Sequence, residues 1–149
     1  MNRWGALGAV LAFWAVIFGA FAAHGLEDRF IKLYGDQPPK MVMGHPIPAA
    51  HKYLQDFKTG AEYQFWHAFG LLFIGAFYPH HSRRLLNAAG YFFVTGILLF
   101  SGCLYLLALL NQPWLGMIVP LGGLSFLIGW FLLAIGLCKS QEKEIVLNG

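Results

Sequence analysis

The stretch "GAFAAHGL", Gly19 to Leu26, closes the first apolar run of the chain and decides how many helices the fold contains. Read one way, it ends a secretory signal peptide, with a basic Arg3, an apolar middle and small residues of the A-x-A kind at Ala20 and Ala22. Read the other way, it is the mouth of a retained membrane helix carrying His24 at its rim. The run starts at Trp4 and exceeds the apolar region of a usual signal peptide. Removing it would also leave the long segment that follows without a helix to pack against. The retained helix is the expectation.

Composition agrees. Hydrophobic residues make up 58% and charged residues 11% of the 149, and mean hydropathy is +0.57. That is too apolar for a soluble domain of this length. A helix crossing a hydrocarbon core needs ~20 apolar residues. Four stretches qualify or nearly do: 4–26, 61–78, 85–110 and 114–138. Of these, the second alone has an ionisable group well inside its limits, His67, with Glu62 at its edge. Lipid cannot satisfy an open backbone, so such runs are helices or closed barrels. Strict alternation of apolar and polar residues is absent, which removes the barrel. The expected fold is an all-α, integral-membrane, four-helix antiparallel bundle. It forms a single domain over 1–149, with a long first extramembrane loop, 27–60.

Four spans put both termini on one side with the short link "PHHSRR". Arg3, Arg83, Arg84, Lys139 and Lys143 lie there, while the opposite turn "NQPW" is uncharged. The long loop also holds basic residues, but the positive-inside rule is strongest in short juxtamembrane segments. Both termini are therefore expected in the cytoplasm. Within the loop, "EDRFIKLYG" and "AAHKYLQDFKTG" have apolar residues at helical spacing and suit the membrane surface. The prolines at 38, 39, 46 and 48 predict an irregular connection between them. Cys103 and Cys138 sit at opposite ends of antiparallel helices, too far apart in depth for a disulfide. A solvated tail follows the last span. The net charge of +3 forms no basic stripe, so nucleic acid is not an expected partner.

Helices in lipid associate through close backbone approach and hydrogen bonds. Gly5, Gly8, Ala12, Ala15, Gly19 and Ala23 predict a smooth face on the first helix. Gly122, Ser125, Gly129 and Gly136 predict one on the fourth, and Gly60, Tyr63, His67 and Gly70 share a face of the second. Pro120 predicts a kink or an irregular first turn in the last span.

"GAFAAHGL", "TGAEYQFWHAFGLL", "LLFSGCLYLLAL" and "PLGGLSFLIGWFLLA" occur in the order seen in the YgdD/YwdK-like family, which the chain resembles over all four spans. That is a family of small bacterial membrane proteins, catalogued as a domain of unknown function, with relatives linked to mitochondria. The resemblance implies a four-helix inner-membrane protein and carries no activity with it. His24 and His67 fall on the histidines of the family's first two motifs. Glu62 and Tyr63 match its E-Y pair, and Ser101 and Tyr105 its S-G-x-L-Y pattern. The proline-rich loop is longer than the family's usual one.

Ionisable groups at membrane depth are costly and are functional candidates by default. His24, Glu62, Tyr63, His67, Ser101 and Tyr105 all fall toward the loop side of their spans, so they are expected to converge on one polar cluster. Such a cluster has three uses: hydrogen-bonded glue between helices, a site for haem, metal, quinone or lipid held by His24 and His67, or proton handling. Two histidines are too few to specify a metal, and no nucleophile arrangement or metal motif is present. The expected role is therefore non-enzymatic. It is that of a structural or accessory component in contact with the lipid bilayer, as a subunit of a larger membrane complex or a homo-oligomer. A binding protein is the alternative, and a transporter ranks below it.

Overall fold

The computed structural model of the protein describes residues 3–78 and 81–139. His80, Lys143 and the expected tail lie outside the described residues. In chain order the elements are α1 (Arg3–His24), α2 (Glu27–Tyr34), β1 (Lys40–Val42), β2 (His45–Ile47), α3 (Ala49–Phe77) and α4 (Arg83–Gly96). A π-helical segment, Ile97–Gly102, joins α4 to α5 (Cys103–Leu110). A 3₁₀ turn, Pro113–Met117, leads into α6 (Val119–Cys138).

The chain is mostly helical. Among the described residues, three helices are long and apolar enough to cross a membrane: Arg3–His24, Arg83–Leu110 and Pro113–Cys138. Their outward faces carry large apolar side chains such as Phe13, Val16, Leu98, Leu127 and Phe131, all exposed. Water would reject such a surface, whereas lipid tails accept it.

α3 departs from the expected second span. It begins at Ala49 and takes in the last third of the expected loop as one unbroken helix of 29 residues, ~44 Å at 1.5 Å per residue. Its first half carries Lys52, Asp56, Lys58 and Glu62, and only the stretch from Tyr63 to Phe77 is free of charged side chains. Pro48 marks its start, since a proline there costs no helical hydrogen bond.

The rest of the expected loop is ordered too. β1 and β2 form an antiparallel hairpin pairing Lys40 with Ile47 and Val42 with His45. This corrects the expectation of an all-α chain with an irregular connection. Met43 (φ 50°) and Gly44 (φ 83°) are both left-handed, as a two-residue hairpin turn demands. Methionine is not a residue that advertises such a turn. α2 buries Phe30 and Tyr34, one helical turn apart, against α3, and Tyr34 donates to the carbonyl of Ala108 at 2.7 Å.

α1 packs antiparallel along α3, and α4 along α6. The buried stripe on α1 is Trp4, Gly8, Ala15 and Ala22, turned slightly from the expected small-residue face, with which it shares Gly8 and Ala15. On α6 the buried residues include Gly122, Ser125, Gly129 and Gly136, the face expected there. Pro120 falls in the first turn of α6, where its missing N–H leaves no ladder bond unmade. The 3₁₀ turn before it is the irregularity. Cys103 is buried and Cys138 exposed, and both are free thiols.

Candidate functional site

The bundle is pinned at three levels by hydrogen bonds, and these set the register of everything between. Near the termini, Asn87 Oδ1 accepts from Trp4 Nε1 at 2.8 Å, Tyr78 OH at 3.1 Å and Arg3 at 3.2 Å. One carbonyl oxygen thus gathers α1, the end of α3 and α4. At mid-depth, Gln64 Nε2 donates to the Leu11 carbonyl at 2.9 Å, while its Oε1 accepts from Tyr105 OH at 3.0 Å. At the loop side, Tyr53 OH donates to Asn111 Oδ1 at 2.9 Å. Gln64, Asn87 and Asn111 were not singled out as sequence candidates, though each is a strongly polar side chain in or beside an apolar run. That was the available signal.

This register separates the two histidines. Leu11 stands level with Gln64. His24 lies thirteen residues beyond Leu11 on α1, and His67 three beyond Gln64 on the antiparallel α3. At 1.5 Å rise per residue they are about 24 Å apart along the bundle. His24 is exposed and lines a shallow cleft with Ile17, Ala20, Phe21 and Gly25. Glu62, also exposed, lines a different cleft of ≈ 500 Å³ between α1 and α3, with Ala15, Gly19, Ala23, Lys58 and Trp66. Neither residue is brought to His67.

The other four expected residues lie close together in two pairs. Ser101 and Tyr105 face α3 where Gly60 leaves space: a Cβ at Gly60 would lie 2.9 Å from the Tyr105 ring and 3.3 Å from the Ser101 carbonyl. Ser101 is fully buried, and its Oγ has no hydrogen-bond partner among the described residues. It sits in the π-helical segment, where the usual i−4 pairing of the backbone is shifted by one residue.

Tyr63 and His67 form the second pair, and here a cavity opens. A cleft of ≈ 570 Å³ between α3, the π-helical segment and α6 is lined by Tyr63, Trp66, His67, Phe100, Gly123, Phe126, Leu127 and Trp130. His67 lies at its floor, 5% exposed, with its ring stacked on Phe126 at 3.4 Å between centroids and 9° between planes. Phe93 and Trp130 close in at 5.6 and 5.9 Å, and Tyr63 stacks on Phe100 at 4.6 Å. A parallel stack with a phenyl ring holds the imidazole flat and leaves only its in-plane nitrogens free to bond.

Those two nitrogens differ. His67 Nδ1 lies 2.6 Å from the Tyr63 carbonyl oxygen, one turn back on the same helix. A carbonyl oxygen can only accept, so Nδ1 carries the proton and donates. In the neutral ring this leaves Nε2 with its lone pair. Among the described residues no hydrogen bond reaches Nε2, and it is not one of the sealed unpartnered atoms. The cleft therefore presents one oriented acceptor in an aromatic box. Nε2 has the electronic form of a metal ligand, its Nδ1–H held by a carbonyl. However, no group of three or more His, Cys, Asp or Glu side chains converges to hold a metal ion among the described residues.

The comparisons with known proteins match this molecule along most of its length. A family model described as "Protein of unknown function (DUF423)" matches residues 18–123. The UPF0382 membrane protein YwdK of Bacillus subtilis is 38% identical over 135 residues, covering 89% of this chain and 94% of its own. A UPF0382 membrane protein of Staphylococcus epidermidis is 39% identical over 133 residues, covering 89% and 93%. One from Haemophilus influenzae is 36% identical over 143 residues, covering 95% and 98%. No solved structure matches. The matched stretch runs from the end of α1 to the start of α6 and so includes Tyr63, His67 and Phe100, and the chain belongs to the DUF423 family of membrane proteins.

Proposed function

We propose that this protein is a non-enzymatic accessory component of the bacterial inner membrane that works by holding a lipophilic, planar ligand in the cleft floored by His67. In this reading α3 crosses the bilayer with the three apolar helices, giving four spans and cytoplasmic termini. Arg83 and Arg84, at the start of α4, support that orientation.

The observation that carries the reading is the His67 ring, fixed by Phe126 and by the Tyr63 carbonyl, with Nε2 open to an aromatic-walled space. A histidine serving only as glue would donate to or accept from a neighbouring helix. This one is anchored to its own helix and leaves its acceptor over. The rim residues Tyr63, Trp66, Leu127 and Trp130 are all exposed on the lipid-facing surface, so the cleft opens sideways toward acyl chains. A ligand arriving that way is itself membrane-soluble. The dimensions suit one: small-molecule sites occupy ~300–1,000 Å³ and are mostly apolar with few polar groups.

The test is native mass spectrometry of the detergent-solubilised protein beside Gly123→Leu. A Cβ at Gly123 meets only the Phe100 ring, at ordinary contact distance of 3.9 Å, so leucine fills the cleft without pressing on backbone. The expected result is a small-molecule adduct on the natural protein and none on the variant, with equal melting temperatures. Identical adduct patterns in the two proteins would end this reading.

A further inference from the structure

We infer that the His67 cleft takes the headgroup of a hydroquinone and discriminates against the oxidised quinone of the same skeleton. This rests on the ligand-holding reading above and narrows it to a chemical class and a redox form. The cleft's walls are ring faces, Phe100 and Phe126, with Tyr63, Trp66 and Trp130 at the rim. Flat aromatic guests fit such walls by offset stacking and edge contacts, which aliphatic tails do not exploit. Its floor offers one strong polar group, and the polarity of that group is decided by the protein. Because Nδ1 donates to the Tyr63 carbonyl at 2.6 Å, the neutral ring has no second proton, and Nε2 accepts only.

An acceptor-only floor selects for a guest that brings a proton. A hydroquinone hydroxyl donates to Nε2. A quinone carbonyl places its own lone pairs against that nitrogen and leaves a buried polar atom unpaired on each side, which is the costly case. Flipping the ring to supply a donor is opposed by the loss of the short Nδ1 bond. The substituent tail leaves past Leu127, on the exposed face of α6, into lipid. The other donors lining the cleft, the Tyr63 hydroxyl and the Trp66 and Trp130 indole N–H groups, belong to side chains of its exposed rim and not to its floor. The Gln64 amide, on the same helix, is committed to the Leu11 carbonyl, and Ser125 Oγ donates to the Phe92 carbonyl at 2.8 Å. No electron transfer is part of the inference, since binding alone is discriminated.

The experiment is anaerobic calorimetric titration of the full chain in lipid nanodiscs, with empty nanodiscs as the blank. Three decyl-tailed probes are compared: a tetrasubstituted benzoquinone, its hydroquinone, and the hydroquinone dimethyl ether. The expected result is that the hydroquinone binds about tenfold more tightly than the other two, the factor for one well-formed hydrogen bond. In His67→Phe, which keeps the stack on Phe126 and removes Nε2, hydroquinone affinity falls about tenfold to the quinone's level and quinone affinity is unchanged. The comparison of the three probes on the natural protein needs no variant, so a misfolded His67→Phe leaves the question decidable. Equal affinity for hydroquinone and dimethyl ether overturns the inference while leaving the ligand-holding reading intact. So does the absence of saturable binding by all three when the Gly123-sensitive adduct is still present. Loss of that adduct as well overturns both.

Discussion

The two long helix pairings of this molecule use the same residue pattern to different ends. Between α4 and α6 the seam is shut along its length. Cβ atoms added at Gly96 and Gly129 would meet the rings of Phe126 and Phe93 at 2.3 and 2.6 Å, and one at Gly136 would meet Leu85 at 3.2 Å. Between α1 and α3 the seam closes along Gly8, Ala15 and Ala22, and a cleft opens on its flank. At Gly8 a Cβ would lie 2.7 Å from the Ala68 carbonyl oxygen, while at Gly19 nothing stands within 4 Å. There the small residues of α1 face Lys58 and Glu62 across an open cleft. Small residues at steps of three and four thus mark where backbones are able to approach. Whether they do depends on what the facing helix presents. Phenylalanine rings fill the hollow opposite a glycine, and solvated charges on α3 do not.

The largest effect should come from placing the same side chain in the two seams. A Cβ at Gly122 would lie 2.5 Å from the Phe100 nitrogen and 2.8 Å from the Leu99 carbonyl carbon, atoms of the backbone that cannot turn aside. Gly122→Val should cost about 3 kcal/mol, the upper end for overpacking. Gly19→Val should stay within about 0.5 kcal/mol. Thermal unfolding in detergent measures both, and similar losses at the two positions would break the contrast.

Next in size is the hydrogen-bonded pin that ties α3 to α1. Gln64→Leu strands the Tyr105 hydroxyl and the Leu11 carbonyl, at a cost of about 1–2 kcal/mol. Adding Tyr105→Phe should cost less in that background than alone. The double-mutant cycle reads the Gln64–Tyr105 coupling directly, at roughly 0.6 kcal/mol for a bond of this kind in a membrane protein. Strict additivity would show that the pin carries nothing.

Toward the loop side the α1–α3 seam runs into a core in which Tyr34 and Tyr53 pack against α5. Burial, reinforced by the neighbouring Tyr53, raises the Tyr34 phenol above its ordinary 10.0. An acid whose folded pKa is raised contributes its stability below the unfolded value and loses it as pH climbs. Stability should therefore be flat through neutral pH with respect to this group and fall above about pH 10. In Tyr34→Phe that alkaline loss should shrink, as chemical denaturation at pH 8 and pH 11 would detect. An unchanged alkaline slope would mean the phenol is not enclosed.

The smallest effect is expected at Ser101. Its Oγ is sealed without a partner among the described residues, so Ser101→Ala removes a desolvated hydroxyl and no bond. Stability should hold or rise by a few tenths of a kcal/mol. A loss above about 1 kcal/mol would show that the hydroxyl is satisfied after all, by water or by the carbonyls of the π turn.

Of the residues lining the cleft, the chain itself marked only Tyr63 and His67. His67 stands out as an imidazole in an apolar run, flanked at helical spacing by Gly60 and Gly70, and it does pack against another helix. The meeting of His24 with His67 was not to be read, because it depends on registry. Similar loop-side positions in two helices say nothing about depth when one of the helices, α3, runs for 29 residues and starts at Ala49, well inside the expected loop. The π-helical segment was equally invisible. "ILLFSG" has no glycine pair or proline to announce it, and its widened turn is accommodated because Gly122 of α6 has no side chain there.

By itself, then, the sequence determined the solvent and the class of structure. Long apolar runs with unsatisfied backbone have one stable form in lipid, the helix, and that follows from local composition alone. It also marked the small-residue faces, since close approach depends on side-chain size at fixed spacing. Only the tertiary structure decided which of the small residues a facing helix covers, how far apart the two histidines stand, and that Nε2 of one of them is left open. Each depends on which side chain of a distant helix arrives opposite, and helical periodicity carries no information about the partner's register.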